Sequence, residues 1–147
     1  MNQLVAGVFG VGSLPKAPGT WASALTTLLG CLLLPLPGLL PVAALAACAA
    51  GFWAIPTAVP DRNADPSWVV IDEVAGQWIA MLGLGEVTWY GVLLAFVGFR
   101  VLDITKPGPV GWADRQSGAF GIMADDMVAG AIVAAALLGL RMIGVIL

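Results

Sequence analysis

The chain has 147 residues, 60% of them hydrophobic and 10% charged, with a net charge of −3. That composition points to a single integral-membrane domain covering residues 1–147 and excludes an ordinary soluble globule. Six scattered basic residues form no nucleic-acid-binding patch, and the absence of histidine removes imidazole as general base, phosphoryl acceptor or metal ligand.

Residues 4–13, LVAGVFGVGS, are apolar but too short and glycine-rich to span a bilayer, so a half-helix or re-entrant segment is expected. No basic start precedes them, as a secretory signal would require, and no cleavage is expected. The prolines and glycine of LPKAPGT, residues 14–20, enforce a turn, after which Thr20 is expected to cap a helix beginning at Trp21. A first span over about 21–34 ends at Pro35-Leu36-Pro37. The second, over about 39–58, carries many alanines and Gly51, which favour close helix contact. Cys31 and Cys48 lie in these apolar runs without a basic neighbour in sequence and read as packing residues.

A polar loop, residues 60–67, precedes a third span over about 67–84, whose second turn is expected to hold Asp72 and Glu73. Gly76 and Gln77 follow one turn later, which extends the polar face beside a point where another backbone can approach. In the fourth span, about 87–105, Arg100 and Asp103 are spaced to pair on one face. Lys106 comes next, at the free end of that helix, before Pro107-Gly108-Pro109 stops it. The last span is preceded by a loop containing Gly118 and Gly121 and opens with Asp125 and Asp126. No charged residue then occurs between Met127 and Leu140. Two carboxylates at a membrane depth need a cation, a basic side chain or a bound phosphate with its metal.

The fold expected is therefore all-α, a polytopic helical bundle of about five spans. Alternation from a cytoplasmic turn at residues 16–20 places Lys16, Arg62, Lys106 and Arg115 inside, with Arg141 the exception to the positive-inside pattern. It also gathers Asp72, Glu73, Asp103, Asp125 and Asp126 toward the cytoplasmic ends of the helices, where a hard divalent cation such as Mg2+ would relieve their repulsion.

Four blocks in order carry a resemblance: PGT at 18–20, DPSWVVIDEVAGQWIA at 65–80, FRVLDITKPGP at 99–109, and DR followed by GIMADDMVAG within 114–130. On these the chain resembles the phosphatidylglycerophosphatase A family. The resemblance implies a Mg2+-dependent phosphomonoesterase of the bacterial inner membrane, a multi-pass protein that faces the cytoplasm and converts phosphatidylglycerophosphate to phosphatidylglycerol. Its matching positions here are Asp65, Asp72, Glu73, Arg100, Asp103, Lys106, Asp114, Arg115, Asp125 and Asp126. The family pattern often has glycine where Ala22 stands, tryptophan where Gly108 stands and glycine where Ala119 stands.

From this follow the expected roles. Asp72, Glu73, Asp125 and Asp126 are the metal candidates, and Arg100, Lys106 and Arg115 would neutralise phosphate oxygens. Asp65, Asp103, Asp125 and Asp126 are the catalytic candidates, with Asp65 or Asp103 to move the proton that histidine cannot. Attack by water and an aspartyl-phosphate route both stay open at this point, as does a homo-oligomer. The competing class is a small ion- or proton-coupled carrier, but carriers bind near the midplane between repeated halves, and no internal repeat is present.

Overall fold

A computed structural model describes residues 1–61, 64 and 66–147 of the chain. Its helices in chain order are α1 (Asn2–Ala6), α2 (Pro18–Leu33), α3 (Leu39–Ala58), α4 (Ile71–Met81), α5 (Trp89–Thr105), α6 (Pro109–Asp114) and α7 (Gly118–Met142), with a 3-10 segment, Val8–Ser13, after α1. No strand occurs among the described residues, so the architecture is all-helical as the sequence implies. Among the described residues two helices, α3 with 20 residues and α7 with 25, are long and apolar enough to cross a membrane.

The bundle is assembled around α4, which packs against α2, α3, α5 and α7. Small residues make the closest crossing possible. A Cβ on Gly76 would sit 2.6 Å from the Asp126 carbonyl oxygen and 2.5 Å from the Phe99 ring, and one on Gly130 would run into the Gly76 backbone. Two glycines thus bring the α4 and α7 backbones into direct contact, the usual device of helices that cannot rely on the hydrophobic effect for association. The outer faces remain apolar: Leu28 and Leu32 on α2, Leu45 and Trp53 on α3, and Leu93 and Val101 on α5 are all exposed. A belt of that extent calls for hydrocarbon rather than water around it.

Several local expectations change, each for a physical reason. Helix α2 begins at Pro18, not Trp21, because proline is pre-set for the first helical position; its N-cap is Ala17, and Thr20 makes no capping bond. The third span is expected over 67–84, but α4 has only 11 residues. Its start is held back where the Val70 amide donates to the Ala6 carbonyl at 2.9 Å, and the turn around Gly83 ends it. Asp72 and Glu73 consequently occupy the first turn of α4 rather than the second. The stretch read as a loop after Lys106 contains α6, which starts at Pro109 after Gly108.

The largest shift concerns the acid pair. Helix α7 starts at Gly118 with Ser117 as its N-cap; Gly118 itself keeps a positive φ of 71°, but Gly121 is helical rather than looped and Asp125 and Asp126 lie two turns inside. Gly121 is tolerated there because a Cβ would collide with the Gln116 backbone. Two turns in, the helix dipole no longer accounts for a pair of carboxylates, since its effect fades beyond the first turn.

Candidate active site

Four helices converge on one cavity of about 300 Å3. Asp72 and Glu73 enter it from α4, Arg100 and Asp103 from α5, Asp125 and Asp126 from α7, and the Ala17-Pro18-Gly19 turn at the start of α2 closes one side. Lys106 reaches in from the end of α5. The arrangement follows from helix geometry. Neighbours on a helix point about 100° apart, so each adjacent acid pair presents one carboxylate to each of two directions.

Burial is deep for such polar groups: Asp72 is 9% exposed, Asp125 5% and Asp126 2%. Two cations partly balance them. Arg100 pairs with Asp103 one turn away, lies 3.8 Å from Glu73 and donates to the Ser23 hydroxyl at 3.5 Å. Lys106 pairs with Asp114 and donates to Asp125 at 2.7 Å. It is therefore not free at the helix end. Burial alone would lower the pKa of the Lys106 ammonium, but its hydrogen bonds to Asp114 and Asp125 outweigh that and hold it above the ordinary lysine value. Lys106 also adopts a left-handed conformation, with φ 45° and ψ 52°, which turns its chain back toward α7. A non-glycine residue held there stores strain of a kind that collects at functional sites.

The carboxylates remain under-partnered all the same. Among the described residues, Asp72 Oδ1, Glu73 Oε2 and Asp125 Oδ1 are buried without a hydrogen-bond partner. An unsatisfied buried oxygen is costly, and several in one cavity call for a cation. One oxygen each from Asp72, Glu73 and Asp126 lie within 4.8 Å of one another, and so do oxygens from Asp103, Asp125 and Asp126. All-oxygen, anionic and closely spaced, the donor set fits Mg2+.

Of the residues singled out from sequence, the structure brings together Asp72, Glu73, Arg100, Asp103, Lys106, Asp125 and Asp126. Asp114 is exposed and joins through Lys106. Arg115 is exposed at the C-cap of α6 and does not line the cavity. Asp65 lies outside the described residues, as does Arg62. Two contributors went unseen in the sequence, Gly19 and Ser23. A Cβ at Gly19 would overlap the Glu73 carboxylate and lie 3.4 Å from the Arg100 guanidinium, so only glycine leaves that wall open. The Pro-Gly-Thr block carried the signal, since proline at a helix start followed by glycine places a bare backbone at a helix end.

A model of the family described as Phosphatidylglycerophosphatase A matches residues 4–141. Phosphatidylglycerophosphatase A of Escherichia coli is 39% identical over 133 residues, covering 88% of this chain and 77% of that protein. The protein of the same name from Haemophilus influenzae is 36% identical over 131 residues, covering 86% and 80%. A Bacteroides thetaiotaomicron protein, provisionally named a phosphatidylinositol-3-phosphatase, is 38% identical over 136 residues, covering 86% and 85%. No solved structure matches the chain. A match running through every helix that builds the cavity, together with relatives of this identity and coverage, means that the chain belongs to the phosphatidylglycerophosphatase A family.

Proposed function

We propose that this chain is a phosphatase of phospholipid biosynthesis that hydrolyses the phosphomonoester of phosphatidylglycerophosphate, releasing phosphatidylglycerol and inorganic phosphate. It acts as one domain, residues 1–147, inserted through about five segments in a bacterial inner membrane with the cavity toward the cytoplasm. The single observation that carries this reading is the cavity where buried carboxylate oxygens without a hydrogen-bond partner stand beside Arg100 and Lys106. Anionic oxygens for a divalent cation next to fixed cations for phosphate oxygens are the components that phosphoryl transfer uses. The family supplies the lipid substrate, as the names of the relatives do.

Asp72, Glu73, Asp125 and Asp126 would hold Mg2+, with Asp103 close enough to join them. When bound, Mg2+ supplies Lewis-acid polarisation and charge neutralisation at the phosphate. Arg100 orients the phosphate by its planar fork, held in register by Asp103 and Ser23. Lys106, which also lines the cavity, offers a second point charge. Asp103 and Asp65 are the carboxylates that stay candidates to take the proton of an attacking water. Arg115, exposed at the C-cap of α6, would serve only to attract the anionic headgroup at longer range. A carrier fits less well, because the acids crowd one end of the helices rather than the midplane.

The test is phosphate release from phosphatidylglycerophosphate by purified protein in detergent, with Mg2+ and with a chelator, beside phosphatidylinositol 3-phosphate as comparison substrate. Mg2+-dependent release, faster from phosphatidylglycerophosphate, is expected. Folded protein that releases no phosphate from it under either condition overturns the assignment.

A further inference from the structure

We propose that the cavity takes two divalent cations rather than one, with Asp126 as the carboxylate that bridges them. The inference rests on the phosphatase reading above and adds the number of ions and the residue that joins them. Among the described residues two oxygen sets occur in the cavity, and Asp126 is the member common to both: Asp72 and Glu73 complete one, Asp103 and Asp125 the other. The backbone explains why Asp126 alone is shared. Asp125 is turned toward Lys106, which binds it at 2.7 Å, whereas Asp126, about 100° further round α7, pairs with no basic side chain among the described residues. Its position beside the Gly76 crossing places it between the α4 acids and Asp103 of α5. A carboxylate has two oxygens, and ions about 3.5–4 Å apart are spaced for one to serve both.

Residues with an orphaned oxygen occur in both sets. Asp72 Oδ1 and Glu73 Oε2 are buried without a partner in the first, and Asp125 Oδ1 in the second, with Asp72 and Asp125 each more than nine-tenths buried. A single ion near the α4 acids would leave the Asp125 oxygen unmet; one near Asp125 would leave the α4 pair unmet. Charge leads to the same conclusion. Among the described residues five carboxylates line the cavity against Arg100 and Lys106, and Lys106 is also shared with Asp114. One divalent ion leaves that wall negative toward an incoming phosphate. The second ion removes the repulsion.

The deciding measurement is Mn2+ binding to the purified, detergent-solubilised chain, by titration and by electron paramagnetic resonance at saturation. Wild type should bind two Mn2+ per chain and give the spectrum of an exchange-coupled pair. Asp72→Asn and Asp103→Asn should each retain one uncoupled Mn2+, and Asp126→Asn should lose the coupling. Should Asp126→Asn fail to fold by circular dichroism, the other two variants still decide. One Mn2+ per chain, two without coupling, or none overturns the bridge. Phosphate release is followed in parallel. Release at one bound ion overturns the bridge and leaves the phosphatase standing; a coupled pair without release does the opposite.

Discussion

The bundle carries charge at both ends, and the two ends handle it in opposite ways. At the end away from the acids, Glu86 and Arg141 line an open depression of about 370 Å3, larger than the acid cavity at about 300 Å3. There the Arg141 guanidinium and the backbone groups of the turn have partners. Arg141 donates to the Gly83 carbonyl at 3.4 Å and lies against Gly85, while the Leu147 carbonyl accepts from the Gly85 and Glu86 amides at 2.7 and 2.9 Å. At the acid end, buried oxygens of Asp72, Glu73 and Asp125 have no partner among the described residues. Cavity size therefore does not distinguish a site from a structural end; unmet hydrogen-bonding demand does. The acid end holds buried oxygens without a partner; among the described residues the other end holds none.

The strongest way to break this contrast is to remove one acid charge while keeping its shape. Asp126→Asn should reduce phosphate release by about 100-fold or more, the scale of losing a principal electrostatic contact in phosphoryl transfer. Metal-free protein should melt higher, because the substitution relieves repulsion from Asp72, Glu73, Asp103 and Asp125 without breaking an ion pair. Asp125→Asn should also lose turnover but should gain no stability, since it gives up the bond to Lys106. If both variants keep wild-type release, the acid end is not the site.

The sequence made the identity of this end legible but not its depth. Spacing alone pairs Arg100 with Asp103, and the alternation of spans gathers the five acids, both of which the cavity reproduces. Gly76 was readable as a point of close approach, and it is one. The low helix propensity of glycine points to a loop through Gly118 and Gly121; Gly118 does take a positive φ, but at Gly121 the expectation fails. Packing overrides it, because Gly121 lies too close to the Gln116 backbone for any side chain, and α7 gains two turns. The shortness of α4 was equally hidden. It depends on the Ala6 carbonyl, a partner 64 positions before Val70, and no local pattern announces such a contact. Whether Lys106 is free is likewise a tertiary matter, decided by where α6 places Asp114 and α7 places Asp125.

Arg100 sharpens the comparison next. With side-chain exposure of 15%, it balances Asp103 and Glu73, and truncation to Ala leaves both without their cation. Stability of the metal-free protein should fall by about 2–4 kcal/mol, short of the full figure for a wholly buried pair. Release should fall as well. Arg100→Lys should restore part of the stability but little of the rate, because one ammonium cannot reach Asp103, Glu73 and Ser23 together. Thermal melting alongside release kinetics checks both statements, and full rescue of rate by Lys would remove the phosphate-orienting role.

Lys106 should give a smaller effect of mixed kind. Lys106→Ala should lower release about 10-fold and stability by about 1 kcal/mol, the latter discounted because Asp114 is well exposed. Its raised pKa fixes the pH behaviour. A folded-state value above the unfolded one gives stabilisation that is fully present below the unfolded pKa and lost only as pH rises through the folded one. The stability difference between wild type and Lys106→Ala should thus stay flat from about pH 6 to pH 9. Lys106→Gly should melt above Lys106→Ala by about 1 kcal/mol, because glycine occupies the left-handed conformation without strain.

The smallest effect is expected from Arg141→Ala, and it makes the other end of the comparison testable. Arg141 is exposed, its bond to the Gly83 carbonyl is long at 3.4 Å, and the Gly83 turn is also closed by backbone bonds that do not involve the side chain. Removing the guanidinium leaves the Leu147 carbonyl with both its amide donors and leaves no buried charge unpaired. Stability should therefore change by less than about 1 kcal/mol, within the range of ordinary exposed polar contacts. Phosphate release and Mn2+ binding should match wild type, since no acid-end residue touches this region. Melting and release measured on the same preparation suffice. A loss of turnover beyond a few-fold, with melting unchanged, would mean that the two ends are coupled through α7 and that the far end is more than a closed structural terminus.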